Sequence, residues 1–234
     1  SLKIYYQSIK SVTGKNGTIS VPAYFWEFGK SKLKFDIKKS PISNKLGLFP
    51  KFLNNLEGSH RSLNPMSSVV AIGKNAKLIC NKKTSSAFGV DSPFDILTKL
   101  NAKMLFLGVD LRYMTYVHYV EQMVGVPHRY FKYFCDNIYE DNKKINLPII
   151  SFVKFLNFNI AADIKANNKK FEKAKLVKKI NIGSSYIRCL EFKKAYEFLK
   201  NKIQKDCFYL LKKKPNFKKG KIPLSWLMMI FFII

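Results

Sequence analysis

The stretch "LGVDLRYMTYVHYVEQMVGVPHRY", residues 107 to 130, places Thr115, His118 and Glu121 three residues apart. A hydroxyl, an imidazole and a carboxylate are the parts of a proton relay, because an imidazole titrates near neutral pH and a carboxylate can hold it in place. On an α-helix, three-residue steps advance by about 300°, so the three side chains fall on one side, with the histidine one turn from each neighbour. The same spacing fits an amphipathic surface in which His118 packs among Tyr113, Tyr116 and Tyr119 and Glu121 is solvated. Both alternatives stay open on spacing alone, since T-x-x-H-x-x-E has little specificity.

The elements that must carry this triplet can be read from apolar periodicity and from glycine and proline punctuation. Leu2, Tyr5, Tyr6 and Ile9 line one face of an opening helix, followed by a turn from Gly14 to Gly17 and a strand from Thr18 to Val21. "SSVVAIG" (67–73) reads as a short buried strand, "NAKLICNK" as a short helix and "AKMLFLGV" (102–109) as a strand. "SPFDILTKLN" reads as a helix with Ser92 as N-cap and Pro93 at its first position. A helix from about Leu111 to Val124 follows, ended by Gly125 and Pro127. Strand, helix, strand, helix predicts an α/β fold: a three-layer α/β/α sandwich with a mostly parallel or mixed central sheet. Ligand sites in such sheets lie beyond the carboxyl ends of the strands, which is where the Thr115 helix starts.

The chain has 234 residues, enough for one large α/β domain, and 47% of them are hydrophobic, which excludes a disordered polyampholyte. Its formal charge of +27 would suit a polyanion partner. Of the 42 basic residues, however, only Arg61, Arg112, Arg129 and Arg188 are arginines, and the lysines are spread along the whole sequence. Nucleic-acid readers lean on the arginine fork, so no nucleic-acid partner is expected, although the field should draw in anionic ligands. Cys80, Cys135, Cys189 and Cys207 are far apart and lack the short spacings of zinc or redox sites. Free thiols, no metal and a cytoplasmic location are the expectation. No initiator methionine opens the chain, which suggests a missing upstream segment. "KKKPNFKKGKIPLSWLMMIFFII" joins a lysine-rich linker to an apolar run too short to span a bilayer. Residues 1–200 are therefore assigned to one domain and 201–234 to a linker and apolar tail, read as an interfacial anchor or an aberrant end before a buried strand.

Four blocks in order carry a resemblance to a known family: "GKNGTISVPAY" (14–24), "GSHRSLNPMSSVVAIGKNA" (58–76), "SAFGVDSPFDIL" (86–97) and "LFLGVDLRYMTYVHYVEQ" (105–122), with "GSSYIRCLEFKKAYEFL" (183–199) similar to a closing segment. Together they resemble the aminoglycoside 3-N-acetyltransferases, or antibiotic N-acetyltransferases. The resemblance implies transfer of acetyl from acetyl-CoA to a primary amine of an amino sugar or aminoglycoside, directly in a ternary complex. It gives His118 the role of general base and makes Glu121 the group that orients the ring and helps attract the cationic acceptor. Thr115 would hydrogen-bond the thioester oxygen. The cofactor would run along "PMSSVV" and "FGVDSP", meeting backbone N–H groups near Ser68 and Val69 and the hydroxyl of Ser92. Ser92 serves equally as a plain N-cap, and Arg61 either binds substrate or cofactor anions or ties its loop down. A homodimer is compatible with all of this.

Two departures stand out. The family's histidine in its "RSxHP" block is Asn64 here. The family's opening strand and its His-Ser-Ser-Leu loop do not precede Ser1, so the N-terminal strand of the sheet is expected to be missing. Only fifteen acidic residues oppose the positive field, which favours a less cationic acceptor, such as a nucleotide-linked amino sugar, over a polycationic drug. The rival expectations are an inactive truncated relative and a basic protein that binds nucleic acid or anionic surfaces, whose affinity would fall steeply with salt.

Overall fold

Glycine and proline set many of the element ends. The computed structural model describes residues 1–30, 33–81, 83–134, 137–156, 158 and 160–217. In chain order the elements are α1 (Leu2–Thr13), β1 (Thr18–Pro22), β2 (Phe35–Asp36), α2 (Phe49–Asn54), β3 (His60–Arg61), β4 (Val69–Gly73), α3 (Ala76–Cys80) and α4 (Pro93–Lys99). They continue with β5 (Lys103–Leu107), α5 (Tyr116–Val124), β6 (Arg129–Phe134), β7 (Ile138–Glu140), β8 (Lys143–Ile145) and β9 (Ile149–Lys154). The last four are α6 (Ile164–Lys173), β10 (Lys178–Ile182), β11 (Ser185–Glu191) and α7 (Phe192–Lys205). The chain divides into two compact units, Ser1–Leu97 with Lys132–Ser151, and Thr98–Phe131 with the chain from Phe152 onward.

In the first unit β4 lies between β1 and β3, antiparallel to both, with Val21 opposite Val70 and Arg61 opposite Val70. Alternation along β4 divides its side chains between two cores. Val69 and Ala71 pack with Ala76, Ile79, Cys80 and Ile96 on one face. Val70 packs with Ile19, Ala23, Ile42 and Leu53 on the other. The strand is thus apolar along its length because both faces are covered. Gly73 closes it where only glycine fits: at φ 119°, a Cβ would collide with the Gly17 carbonyl oxygen. A second sheet orders β2, β7 and β8, and β7 turns into β8 through Asp141 and Asn142, both at positive φ, the conformation a two-residue hairpin turn requires.

In the second unit β11 lies between β10 and β5, antiparallel to both, with Ile187 opposite Leu107 and Ile180. Helix α7 is a regular amphipath whose Phe192, Ala195, Leu199 and Ile203 form one buried stripe. Burying each of the large members contributes roughly 1.5–3 kcal/mol. The helix packs on α5, with the Tyr116 ring 4.6 Å from Phe192 edge-on and the Tyr119 ring 5.7 Å from Tyr196.

The α/β class agrees with the sequence, and the expected helices and strands up to β5 fall where periodicity put them. The sheets follow the mixed alternative of the expectation and not the mostly parallel one. They are small, and of the pairings with an assigned direction between named strands only β2 with β7 is parallel. The expected helix from Leu111 to Val124 is also broken. The Asp110 carboxylate accepts the Arg112 amide at 2.9 Å and starts a separate 3-10 turn, Leu111–Tyr113. Met114 then leaves helical geometry at ψ 84°, and α5 begins only after Thr115. The boundary at residue 200 falls within α7, and Leu210 beyond it is buried. The apolar run 223–234 lies outside the described residues. Among the described residues no helix is long and apolar enough to cross a membrane.

Candidate active site

Thr115 is the N-cap of α5, and its backbone carbonyl, not its hydroxyl, accepts the His118 amide at 3.0 Å. Tyr116, Tyr119 and Val120 form the buried stripe of the helix, and Glu121 is buried with them. Gly125 ends α5 in the left-handed region at φ 77°, ψ 50°, its amide bonded to the Glu121 and Gln122 carbonyls. That cap reverses the chain, Val126 is buried behind it, and the next residues, His128 and Arg129, enter β6 beside Glu121.

The result is a cluster centred on one carboxylate whose side chain is 4% exposed. His118 Nδ1 lies 3.0 Å from Glu121 Oε2, His128 Nε2 3.1 Å from Oε1, and Arg129 Nε 2.8 Å from Oε2. Arg129 Nη2 also lies 2.9 Å from His118 Nδ1, and Nη1 donates to the Phe152 carbonyl at 3.2 Å. Glu121 is therefore not the solvated helix partner that spacing allowed, and both its oxygens are engaged by these neighbours. His118 is not sealed in the aromatic stripe either, since 36% of its side chain is exposed.

The electrostatics follow from this geometry. Burial alone would raise the Glu121 carboxyl, but hydrogen bonds from His118 and His128 and the charge of Arg129 outweigh it, holding the group well below the usual carboxylate range. Partial burial of the ring and the neighbouring guanidinium push His118 below its ordinary value, against the pull of Glu121. The imidazole is thus kept unprotonated near neutral pH, the state a base requires.

The other residues singled out from sequence belong to the first unit, where most are occupied by their own fold. The Ser68 hydroxyl donates to the Ala23 carbonyl at 2.6 Å. The Val69 amide, expected to face a cofactor, donates instead to Ser62 Oγ at 2.9 Å. Ser92 is fully buried and accepts the Asp95 amide at 3.3 Å, while Asp95 Oδ2 accepts the Asp91 amide at 2.9 Å, so the N-cap role is the one seen. Arg61 is buried, with its guanidinium on the Ser40, Ala23 and Pro41 carbonyls and 4.9 Å from the Phe35 ring centre. Burial pulls that group down to about 10, still charged at neutral pH. Of its two expected roles, these contacts are those of loop fastening. Asn64, at the position of the family's histidine, joins loops by donating to the Ser85 carbonyl at 3.2 Å and accepting the Met66 amide at 3.1 Å. Among the described residues no group of three or more His, Cys, Asp and Glu could hold a metal ion.

Helical spacing from Thr115 to Glu121 does not reach His128 and Arg129, which lie beyond the end of α5. The available signal was the pair Gly125 and Pro127, which marks a reversal just after Glu121 and so brings whatever follows back against it.

A family profile described as aminoglycoside 3-N-acetyltransferase matches residues 3–204. Aminoglycoside N(3)-acetyltransferase III of Pseudomonas aeruginosa is 29% identical over 112 residues, covering 47% of this chain and 41% of that protein. The match thus spans about two fifths of the length of that curated relative. Among solved structures, aminoglycoside acetyltransferase AAC(3)-Xa superposes with a TM-score of 0.77 at 18% identity, over 91% of this chain and 82% of the other. AAC-IIIb, solved with CoASH, gives 0.74 at 19% identity, over 92% and 86%. At such identities the structural likeness speaks for the fold, while the profile covers most of the sequence: the chain belongs to the aminoglycoside 3-N-acetyltransferase family.

Proposed function

We propose that the chain transfers acetyl from acetyl-CoA to a primary amine of an amino sugar or aminoglycoside, with His118 as general base. The observation that carries this is an imidazole held 3.0 Å from a buried, ionised carboxylate while a third of its own side chain stays exposed. Membership of the family supports the reaction class, and the CoASH-bound AAC-IIIb supports the cosubstrate.

In this mechanism the neutral amine nitrogen attacks the thioester carbonyl carbon, the C–S bond breaks and coenzyme A leaves as thiolate. The amine's proton must go elsewhere. With its own hydrogen on Nδ1, directed at Glu121, His118 presents the accepting lone pair on Nε2. The ionised Glu121 fixes the ring plane and offsets the charge that appears on it. Thr115, at the helix start, is the candidate donor to the thioester oxygen as that atom gains charge. Ser68, Val69 and Ser92 are assigned to the coenzyme side by family resemblance. Since the Ser68 and Ser92 hydroxyls and the Val69 amide are engaged internally, their part is to shape the backbone there.

The acceptor has to find acidic partners other than Glu121, and the chain has fifteen acidic residues against 42 basic ones. A less cationic acceptor, such as a nucleotide-linked amino sugar, is therefore preferred to a polycationic antibiotic. The test follows thiol release from acetyl-CoA with both classes of acceptor, on the chain as it stands and on His118→Ala. Losing the base should lower kcat by about 10²–10⁴. Equal turnover by His118→Ala would overturn the mechanism, and efficient use of the antibiotic alone would overturn the acceptor preference.

A further inference from the structure

The guanidinium of Arg129 lies across both members of the His118–Glu121 pair. Its Nε is 2.8 Å from Glu121 Oε2, its Nη2 is 2.9 Å from His118 Nδ1, and its third nitrogen is fixed to the Phe152 carbonyl of β9. Only 12% of the side chain is exposed, so water screens these contacts weakly. His118 Nδ1 has one bonding site towards the pair. Either it carries a hydrogen and donates to Glu121 at 3.0 Å, or it carries a lone pair and accepts from Arg129. Arginine always carries its protons, so the two contacts are alternatives and not a joint network. His128 completes the carboxylate's shell. Its Nδ1 is buried with no hydrogen-bond partner among the described residues, which suits the tautomer that donates from Nε2 to Glu121.

Among the described residues, the titratable and charged groups acting on the imidazole include Glu121 from its own helix, Arg129 from β6 and His128 from the turn before it. Helix α7, packed on the other side of α5, presents Phe192 and Tyr196 to Tyr116 and Tyr119. The charge of Glu121 is therefore already balanced by Arg129 before any proton arrives. A proton taken by His118 makes a second cation within hydrogen-bond distance of the first.

We propose that Arg129 is a positioning residue that sets the proton state of His118, keeping the resting imidazole neutral and discouraging it from retaining the proton it takes from the acceptor. This rests on the reading of His118 as base. It assigns Arg129 no contact with substrate. A purely structural arginine would support the cluster's shape without affecting where the ring titrates.

The experiment is a nitrogen-15 NMR titration of the His118 ring, assigned by its loss in His118→Asn, alongside the pH profile of kcat/KM. In the unaltered chain His118 should titrate below a free histidine; a midpoint at or above that value overturns the proposal and needs no variant. In Arg129→Gln the midpoint should rise by about one pH unit, equivalent to a tenfold change in the protonation equilibrium, and the acid limb of kcat/KM should rise with it. Arg129→Lys retains the charge and loses the fork, so its midpoint should stay near that of the parent while the plateau rate falls. An unmoved or lowered midpoint in Arg129→Gln overturns the proposal, and should that variant fail to fold, a raised midpoint in Arg129→Lys does the same. A midpoint that moves as stated in a chain releasing no thiol would leave Arg129's control of the ring standing and overturn the reading of His118 as general base.

Discussion

Replacing Glu121 by glutamine tests whether one carboxylate organises the cluster. The substitution keeps the shape and removes the charge. Whichever way the new amide turns, its NH2 group faces a donor: His128 Nε2, now 3.1 Å from Oε1, or Arg129 Nε, now 2.8 Å from Oε2. Arg129 also loses its counter-ion while almost wholly buried. Breaking a buried pair by removing one partner costs about 3–5 kcal/mol. For a chain of this size, with a thermal midpoint moving by about 2–4 °C per kcal/mol, that amounts to roughly 6–20 °C. The sign of the pH dependence follows from the depressed carboxyl. Its stabilising contribution is fully present above the unfolded value for glutamate and is lost as pH falls towards the much lower folded value. Glu121→Gln should therefore lose most stability at neutral pH and approach the parent under strongly acidic conditions. Calorimetric melts of both chains at neutral and acidic pH measure the difference. A variant melting within about 2 °C of the parent at neutral pH would refute the claim that the carboxylate holds the cluster together.

Two further outcomes are expected. Ser92→Ala should cost about 1 kcal/mol as a lost N-cap, read from the urea midpoint, and should leave KM for acetyl-CoA unchanged; a large rise in KM would place its hydroxyl on the coenzyme instead. Burial pushes the Cys80 thiol up to about 12, so iodoacetamide at neutral pH should alkylate the partly exposed Cys189 and Cys207 well before Cys80; early labelling of Cys80, resolved by mass spectrometry, would contradict its place in the core of the first unit.

Local chemistry was legible where it is sufficient to fix an element. The glycines after α1, the unbroken apolar run of β4 and the Ser92–Pro93 start of α4 need no distant partner to be read. Strand direction was not legible, because it depends on partners far along the chain: β5 pairs with β11, which returns some eighty residues later as the second strand of a hairpin. Alternating strands and helices predict a mostly parallel or a mixed sheet without choosing between them, and the antiparallel return of β11 decides for the mixed one. The break at Met114 was hidden for a related reason. Apolar spacing runs through Leu111 to Val124 without interruption, and the competing signal was a single side chain, Asp110, capping an earlier turn.

The site shows the same division. Three-residue spacing was enough to place His118 and Glu121 together, because one helix holds both. It could not give Arg129 and His128, whose nearness depends on a left-handed glycine reversing the chain after Val124. Their absence from the sequence reading had a chemical cost, since without them Glu121 looked free to serve twice, as ring orienter and as partner for a cationic acceptor. Two imidazoles and a guanidinium surround it and its side chain is almost wholly buried, which under the proposed mechanism favours the first role over the second. Under the proposed mechanism the acceptor's remaining ammonium groups gain nothing from this carboxylate, and each one adds repulsion from a chain of net charge +27. Selection among acceptors should then follow the number of positive charges they carry more closely than the basicity of the amine that reacts.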